Sequence, residues 1–390
     1  MRLAFVVQRY GLEVNGGAEL LCRMIAEKLA KHHDVEVLTT CATDYMSWKN
    51  EYTAGENTIH GVKVRRFHVN KERDIKEFNR FSEKVLNKKH TIAEEEEWME
   101  KQGPYCQKLI KYLKDNKDDY DIIFFVTYLY YTTYHGIQIA PDKSILISTA
   151  HDEPPIYLKI FEQVFNTPKA IVYLTDAEKR FVNGKFKNTN ITSIVAAMGV
   201  EAPEKTDPED FRKKYGIKDE YIVYTGRVDE SKGCKELIDY FIRYKKETGV
   251  GLKLVLVGKE VMKFPKNPDI IMTGFISDQD KNNAIAASKL MVMPSPYESL
   301  SIAILEAWLQ KKPVIVNGKS EVLKEQVTRS NGGLYYTNYD EFKYTLNLIL
   351  KDKKTATKLG KNGKQYVEKN YNWQTIGEKY EKLLKEIKDD

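Results

Sequence analysis

Short apolar runs alternate with longer amphipathic segments from one end of the chain to the other, and this pattern constrains the fold more than any other feature. Runs such as Leu3–Val7 and Ile122–Thr127 are apolar almost throughout, as expected of strands that helices cover on both faces. Helical patterns lie between the runs, and in Ala18–Lys31 the apolar side chains share one helix face. Strands that alternate with helices predict parallel βαβ units and an α/β fold class.

The pattern continues through both halves of the chain and predicts two doubly wound, Rossmann-like domains. The segment Ala197–Pro208 contains a glycine and two prolines and leads into a capped helix start, which is typical of a linker. We therefore expect an N-terminal domain at residues 1–200 and a C-terminal domain at residues 201–370. Residues 371–390 continue a Lys/Glu-rich helix whose apolar stripe could pack back on the N-terminal domain. The predicted strands, in chain order, are Leu3–Val7, Val35–Thr39, Val62–Phe67, Ile122–Thr127, Ser144–Ser148, Ala170–Leu174, Ile191–Val195, Tyr221–Tyr224, Leu252–Val257, Ile270–Thr273, Leu290–Met293 and Val314–Val316.

The composition argues against several classes of protein. With 42% hydrophobic and 30% charged residues, the chain suits a soluble globular protein with a sizeable core. A net charge of +6, without marked asymmetry between the halves, argues against a nucleic-acid binder. No window approaches the roughly 18 uninterrupted apolar residues that span a bilayer, and the first residues turn polar too quickly for a signal peptide. We therefore expect a cytoplasmic protein. The 4 cysteines are far apart, which argues against a disulfide framework or a structural zinc site.

A charged helical insertion occupies Lys71–Gly103 in the first half. It contains the acidic run Glu94–Glu97. Because such runs usually face water, we expect the insertion to form a solvated surface.

The first candidate ligand-binding element is Asn15-Gly16-Gly17-Ala18-Glu19, between the first strand and the first helix. Small residues at this point let the backbone approach a phosphate, and the helix N-terminus supplies free N–H groups. The dinucleotide fingerprint GxGxxG and the phosphate-binding motif GxxxxGK[ST] are both absent. The Gly16-Gly17 turn is thus a candidate anion site, and a tight turn without a ligand is the alternative.

A second candidate follows the first strand of the second half, where Gly226-Arg227 ends the strand and Lys232-Gly233 precedes the next helix. Open α/β folds bind ligands at the carboxyl edge of the sheet. An arginine fork and a lysine point charge in one such loop suit a diphosphate. A pair of solvated charges in a connecting loop is the alternative.

The third candidate is the segment from Pro294 to Trp308, in which a strand ends, a loop carries Glu298 and a helix carries Glu306. Carboxylates at a strand's carboxyl edge accept hydrogen bonds from sugar and ribose hydroxyls. The backbone amides at the helix start, those of Ser299, Leu300 and Ser301, point toward any anion placed there. The alternative makes Glu298 a capping residue and Glu306 a surface charge, but apolar neighbours surround Glu306 in the sequence. A buried carboxylate without partners is costly, so we expect Glu306 to be destabilised until a nucleotide binds.

Taken together, these elements resemble the retaining GT-B glycosyltransferases of family four. Glu298 and Glu306 form an E-x7-E motif, and Arg227, Lys232 and the Gly16-Gly17 loop occur in the expected order. The resemblance implies a GT-B fold, with two Rossmann-like domains facing a central cleft. It also implies metal-independent transfer from a nucleotide sugar of the UDP or GDP type, with no resident cofactor.

The resemblance assigns a role to each motif position. It places Glu298 by the donor sugar, Glu306 on the ribose hydroxyls, and Arg227 and Lys232 on the diphosphate. The stretch Gly274-Phe275-Ile276 resembles the segment that contacts the nucleotide base.

His151 follows the strand Ser144–Ser148 and is the candidate catalytic residue of the N-terminal half. A histidine at a strand's carboxyl edge can hydrogen-bond a sugar hydroxyl and a developing oxyanion. In the resembled family, a histidine in this loop contacts the donor sugar. The alternative is a loop histidine that caps the next helix.

Ser301, the loop Asn317–Glu321 and an aromatic run in the first half depart from the usual family pattern, and the loop replaces a more common Gly-rich turn. Ser301 stands where many relatives have glycine, which bears on how closely the backbone approaches the phosphate. The aromatic run Tyr128–Tyr134 is unusual. It could stack on an acceptor sugar, or it could be a core helix whose tyrosine tips reach polar partners.

Neither of the two DxD triplets is a credible metal site. Asp119-Tyr-Asp121 precedes its strand, and Asp278-Gln-Asp280 resembles a helix N-cap, whereas a metal-dependent transferase needs carboxylates at a strand's carboxyl end. We therefore expect no metal.

The predicted function is transfer of a sugar to a glycan or glycolipid acceptor in polysaccharide or glycoconjugate synthesis. A sugar phosphorylase or sucrose-synthase-like enzyme, a non-catalytic GT-B partner subunit and a dehydrogenase are the alternatives. The dehydrogenase is disfavoured because GxGxxG is absent. The Lys-rich helices could rest on anionic lipid at the inner face of the membrane, although their charge is mixed.

Overall fold

The computed structural model describes residues 1–14 and 16–389, without the side chain of Asp389. The chain divides into two compact units. The first unit comprises Met1–Met198 and Ile376–Asp390, and the second comprises Gly199–Thr375.

In the described part of the chain, the first unit contains an eight-stranded sheet in the order β3-β4-β2-β1-β5-β6-β7-β8. Neighbouring strands are parallel except for the β3–β4 pair at one edge. The strands β1 to β8 are Arg2–Val6, Asp34–Thr40, Gly55–Ile59, Val62–Phe67, Ile122–Val126, Ser144–Ile147, Ala170–Tyr173 and Thr192–Val195. The helices α1 to α7 are Gly17–Leu29, Ile75–Asn87, Ile92–Gln102, Gln107–Asn116, Tyr131–Gly136, Phe161–Asn166 and Asp176–Phe186.

The second unit contains a six-stranded, fully parallel sheet in the order β11-β10-β9-β12-β13-β14. The strands β9 to β14 are Glu220–Thr225, Leu252–Val257, Ile270–Gly274, Met291–Met293, Val314–Asn317 and Gly333–Tyr336. The helices α8 to α14 are, in chain order, Pro208–Lys214, Cys234–Thr248, Asp278–Ala287, Ile302–Leu309, Glu321–Ser330, Tyr339–Lys351 and Lys353–Asn370.

The last helix, α15, spans Trp373–Asp389, and its residues from Ile376 onward belong to the first unit. Tyr380 is buried there, with its ring centroid 6.3 Å from that of Phe124 on β5. The ammonium of Lys379 donates to the carbonyl of Val195, at 2.9 Å, at the end of β8. The chain therefore returns to the first sheet at its C-terminal end.

Two strands escape sequence prediction because they lack an apolar run. The edge strand β3 is exposed along nearly its whole length, and among the described strands it pairs with the antiparallel neighbour β4 alone. The short strand β14 begins with a glycine and exposes Tyr335. Every predicted run coincides with an observed strand to within a residue or two, and both sheets have the predicted parallel α/β architecture.

The expectation that the insertion at 71–103 is a solvated surface is wrong for its inner face. Trp98 on α3 is buried, and its indole N–H donates to the Ser82 hydroxyl at 2.7 Å. Within the acidic run, Glu95 is also buried, and it accepts a hydrogen bond from the backbone N–H of Ile160 at 3.0 Å. An internal partner for the Glu95 carboxylate explains why a charged run can contribute to the core.

Among the described helices, none combines the length and the apolar character that a bilayer-spanning segment needs.

Candidate active site

The predicted ligand-binding residues of the second unit follow three strands of one parallel sheet. Gly226 and Arg227 follow β9, Phe275 and Ile276 follow β11, and Glu298 lies in the loop after β12. Because all these strands are parallel, their carboxyl ends lie at the same edge of the sheet. The topology thus places the three candidate segments at one edge.

Two of the predicted residues are in direct contact. The ammonium of Lys232, before α9, lies 2.8 Å from a carboxylate oxygen of Glu298, before α11, although the two are 66 positions apart in the chain. The Lys232 side chain is 33% exposed and that of Glu298 is 13% exposed. The ion pair is therefore partly buried, but the Lys232 side chain remains accessible to a ligand that could replace Glu298 as its partner.

Asp229 organises the loop between the two predicted cations. Its buried carboxylate pairs with the Arg227 guanidinium and accepts hydrogen bonds from the Ser231 hydroxyl at 2.5 Å and the Lys232 backbone N–H at 3.1 Å. Burial acts to raise the pKa of Asp229, but the Ser231 and Arg227 contacts outweigh it and hold the pKa below its usual value. Asp229 is thus charged and fixes the loop that presents Arg227 and Lys232.

Two glycines allow the strand-end loops to approach one another. Gly233 has a φ of +72°, and a Cβ at this position would lie 2.2 Å from the carbonyl oxygen of Pro294. Gly258, directly after β10, has a φ of +143°, and its Cβ would lie 1.9 Å from the carbonyl oxygen of Gly226. Both contacts are with backbone, so a side chain at either position would force the loops apart.

The helix α11 begins directly after the predicted phosphate-binding segment. Ser301, at its N-cap, has a φ of +67°, and its side chain makes no capping hydrogen bond. Left-handed backbone favours glycine, so the conformation of Ser301 accounts for the glycine that the resembled family places at this position. The side-chain amide of Gln326 donates to the carbonyl of Leu300. The first amides of α11 have no acceptors within the helix, which makes this end suitable for an anion.

Glu306, on α11, has a charged partner, contrary to our expectation. The ammonium of Lys281, in the first turn of α10, lies 2.7 Å from the Glu306 carboxylate and 3.1 Å from that of Asp278. Burial raises the pKa of Glu306, and Lys281 opposes the rise. The helix α10 begins just after Phe275, whose side chain is 69% exposed. Lys281 therefore links the predicted ribose-binding carboxylate to the helix that follows the predicted base-contacting segment.

In the first unit, Gly16 and Gly17 lie at the start of α1, while Asn15 lies outside the described residues. A Cβ on Gly17 would contact nothing within 4 Å. Beneath this turn, the Glu19 carboxylate accepts hydrogen bonds from the side chains of Gln8 at 2.7 Å and Arg9 at 2.9 Å, and Arg9 and Glu19 are both buried. A buried ion pair between Arg9 and Glu19, which the sequence did not indicate, therefore lies next to the turn.

His151 lies in the loop after β6, close to a carboxylate. Its Nδ1 is 3.3 Å from an oxygen of Glu153, and that same oxygen accepts a hydrogen bond from the Tyr128 hydroxyl at 2.7 Å. Tyr128 is buried, as are Tyr131 and Tyr134 further along the aromatic run. The run thus contributes these rings to the core, and Tyr128 uses its polar tip to fix Glu153 beside His151.

The two DxD triplets have other contacts. Asp119 and Asp121 precede β5, and Asp121 accepts a hydrogen bond from the Arg2 backbone at 2.7 Å. Asp278 pairs with Lys281, and Asp280 pairs with Lys214 at 2.7 Å. Within residues 1–14 and 16–389, no group of three or more His, Cys, Asp or Glu side chains could hold a metal ion.

Comparison with known proteins shows what the second unit and the whole chain are similar to. Residues 207–366 match the family model of glycosyl transferases group 1. An uncharacterized glycosyltransferase of Methanocaldococcus jannaschii is 24% identical over 415 aligned positions, which cover 96% of each chain.

Solved structures show the same fold. Sucrose-phosphate synthase of Thermosynechococcus elongatus superposes with a TM-score of 0.73 at 15% identity, covering 99% of this chain and 98% of that one. Anabaena HepE in complex with UDP-glucose gives a TM-score of 0.72 at 16% identity, covering 99% of this chain and 100% of that one. The predicted GT-B fold, with two Rossmann-like domains, is confirmed.

The predicted donor-site residues divide between the segment that matches the family model and the rest of the chain. Arg227, Lys232, Glu298 and Glu306 fall within residues 207–366, as do Gly226, Phe275, Ile276, Ser299, Leu300 and Ser301. Gly16, Gly17 and His151 belong to the first unit. Their roles and those of the residues in the matched domain stay predictions.

Sequence reasoning missed the partners of these residues. Asp229 follows Arg227 by two positions, and its place in a cation-bearing loop was a usable signal. Lys281 lies 25 positions from Glu306, and Glu178, on α7, lies 28 positions from its partner Ala150. No local pattern connects residues so far apart.

Glu178, in the first turn of α7, is a buried carboxylate that contacts the loop carrying His151. It accepts hydrogen bonds from the backbone N–H of Ala150 at 2.6 Å and of Leu174 at 2.5 Å. Burial raises the pKa of Glu178 to about 7, despite the lowering effect of these hydrogen bonds.

This shift predicts a pH dependence of stability. Because the folded-state pKa lies above the unfolded value, the folded protein binds the proton more tightly, and this contribution is lost as the pH rises toward 7. Between pH 5.5 and pH 7.5 the wild type should lose about 2 kcal/mol more stability than Glu178→Gln, which cannot titrate. Urea unfolding of both proteins at the two pH values measures the difference, and an equal change in both would contradict the shift.

Proposed function

We propose that the protein is a retaining, metal-independent glycosyltransferase that uses a nucleoside diphosphate sugar of the UDP or GDP type and needs no resident cofactor. The observation that carries the proposal is the contact between Lys232 and Glu298, 2.8 Å apart at the carboxyl edge of the sheet in the glycosyltransferase group 1 domain. A predicted phosphate-binding cation and a predicted sugar-binding carboxylate are thereby neighbours, beside the start of α11.

The diphosphate is proposed to bind Arg227, Lys232 and the first amides of α11. Phosphate oxygens would draw Lys232 away from Glu298, because they carry more charge than one carboxylate. This exchange would release the Glu298 carboxylate to accept hydrogen bonds from hydroxyls of the donor sugar. Charge that develops on the departing diphosphate would then be stabilised by cations and dipoles already in place.

The nucleoside is proposed to lie toward Glu306 and Phe275. The Glu306 carboxylate can accept hydrogen bonds from the ribose hydroxyls, and the exposed ring of Phe275 offers a face for the base. The Lys281 ammonium, already on Glu306, favours the charged form of that carboxylate and so opposes the effect of burial on its pKa. The complex of the structurally similar Anabaena HepE with UDP-glucose supports a nucleotide-sugar donor.

For His151 we propose a hydrogen bond to the transferred sugar. We further propose that no carboxylate acts as a nucleophile: the acceptor hydroxyl attacks on the same face from which the diphosphate departs and gives its proton to a diphosphate oxygen. This route retains the configuration at the anomeric carbon. The Gly16-Gly17 turn is proposed to approach the donor through its backbone.

The acceptor is proposed to be a glycan or glycolipid, with the protein in the cytoplasm. Mixed-charge, Lys-rich helices such as α14 and α15 could rest on an anionic membrane surface.

A ligand panel tests the donor class. UDP or GDP at about 100 times its dissociation constant should stabilise the protein by about 2.7 kcal/mol in thermal unfolding. NAD should leave the melting temperature unchanged. Stabilisation by NAD, with neither UDP nor GDP effective, would overturn the proposal.

Metal removal gives a further expected result. Activity should survive EDTA, because Arg227, Lys232 and the start of α11 supply the positive charge that a divalent ion gives to metal-dependent enzymes. Transfer rates with and without EDTA measure this. Loss of activity with EDTA, restored by Mn²⁺ or Mg²⁺, would show that the phosphates are handled differently.

A further inference from the structure

The loop that carries His151 has an unfavourable backbone conformation. Thr149, two residues before His151, has a φ of +50°. This left-handed region is costly for any side chain and more so for a β-branched residue such as threonine. A loop of this kind relaxes to another conformation unless its surroundings hold it in place.

Glu178 supplies such a constraint. One carboxylate oxygen accepts the backbone N–H of Ala150, between Thr149 and His151, at 2.6 Å. The other oxygen accepts the N–H of Leu174 at 2.5 Å, directly after β7. The strands β6 and β7 are parallel neighbours, so Glu178 ties together the loops at their adjacent ends.

The placement of Glu178 is itself unusual. The residue is only 1% exposed, and a buried carboxylate is tolerated only where strong donors surround it. Its own N–H is held by the Thr175 hydroxyl at 3.2 Å, which fixes the first turn of α7. The carboxylate therefore projects from a rigid helix end onto the backbone next to His151.

We propose that Glu178 is a positioning residue that holds the His151 loop in the conformation required for glycosyl transfer. The inference rests on the role proposed above for His151. Because Glu178 is almost fully buried and its carboxylate is bonded to the loop backbone, its effect on the reaction is expected to pass through His151.

The substitution Glu178→Gln separates this role from packing. Glutamine has nearly the same shape but only one acceptor oxygen, so one of the two backbone N–H groups would face an amide NH₂ instead. Because glutamine fills the same space as the protonated glutamic acid, the variant should fold. The His151 loop should then relax away from the left-handed Thr149 conformation.

The experiment is a double-mutant cycle in the full-length protein with Glu178→Gln and His151→Ala, measured as release of the nucleoside diphosphate from a UDP- or GDP-sugar, according to which nucleotide the ligand panel selects. Glu178→Gln alone should lower kcat by roughly 10- to 50-fold while KM for the donor changes less than about 2-fold. In the His151→Ala background, the same substitution should lower kcat by less than about 2-fold.

Glu95→Gln is the matched control. Glu95 is also a buried carboxylate of the first unit, but it accepts the N–H of Ile160. This variant should melt at a lower temperature than the wild type, but its kcat should stay within about 2-fold of the wild-type value. The change in kcat should be the same whether His151 or alanine is present at position 151.

If Glu178→Gln does not melt cooperatively, Glu178→Asp takes its place in the double-mutant cycle. It keeps the charge but withdraws the carboxylate by one methylene, so it should show the same dependence on His151. Equal effects of the Glu178 substitution with and without His151 would overturn the inference. If His151→Ala itself leaves kcat unchanged, the role proposed for His151 fails instead, and the two failures are thereby distinguished.

Discussion

Lys232→Ala should lower kcat/KM by roughly 30- to 1000-fold, which corresponds to about 2–4 kcal/mol of lost transition-state stabilisation. In the proposed mechanism, the ammonium of Lys232 leaves its partner Glu298 and binds the departing diphosphate. Its removal takes away a charge-assisted contact that strengthens as negative charge develops on the leaving group. The effect should appear in kcat as well as in KM, because the contact is stronger in the transition state than in the ground state.

Lys235→Ala is the control for this prediction. Lys235 lies three positions further along, in the first turn of α9, where it pairs with Asp239 at 2.7 Å. Its side chain is exposed, so its loss should change kcat/KM by less than about 2-fold. Arg227→Ala should behave like Lys232→Ala, since both cations are presented by the Asp229-centred loop. Near-normal turnover of both the Lys232→Ala and the Arg227→Ala variants would show that the diphosphate does not bind this loop.

Gly258→Ala should destabilise the second unit by about 3–5 kcal/mol. Alanine would have to adopt a φ of +143° while its Cβ lay 1.9 Å from the carbonyl oxygen of Gly226. The backbone N–H of Gly258 donates to the carbonyl of Gly274 at 3.0 Å, so the segment cannot retreat without losing that hydrogen bond. The ends of β9, β10 and β11 would separate, and nucleotide binding should weaken together with stability.

Gly249→Ala isolates the cost of the backbone angle. Gly249 has a φ of +62°, but a Cβ at this position would meet no atom within 4 Å. Its substitution should cost only about 1 kcal/mol. Thermal or urea unfolding of the two variants measures the difference, and similar losses at both positions would show that the close approach to Gly226 is unimportant.

The fold could be predicted from the sequence wherever burial leaves an apolar run. The central strands, such as β1 and β5, are buried on both faces and are marked by continuous apolar residues. The edge strand β3 has a polar sequence and owes its conformation to pairing with β4, so it carries no such signal. Glu95 was expected in solvent because charged runs usually face water, and its hydrogen bond with the backbone of Ile160, 65 positions away, could not be foreseen.

The candidate site shows the same limit. Motif spacing singled out Lys232, Glu298 and Glu306 as candidates, because phosphate- and sugar-binding groups occur at strand ends in a regular order. It could not show that Lys281 neutralises Glu306, nor that Lys232 and Glu298 are paired, since these contacts join residues 25 and 66 positions apart. Contacts between such distant residues form only when the chain folds, so they cannot be predicted from local sequence patterns.

The central claim is that a nucleoside diphosphate binds at the carboxyl edge of the second sheet, with Glu306 on the ribose and Glu298 near the sugar. Calorimetric titration of the wild type, Glu306→Gln and Glu298→Gln with the nucleoside diphosphate tests it most directly. Glu306→Gln should weaken binding by about 1–2 kcal/mol, because charge-assisted hydrogen bonds to the ribose are lost. Lys281 keeps Asp278 as a partner in that variant. Glu298→Gln should leave the affinity at least as high as that of the wild type, since its proposed partner is on the transferred sugar and the loss of its charge frees Lys232 for the diphosphate. Weaker binding in Glu298→Gln together with unchanged binding in Glu306→Gln would contradict the account.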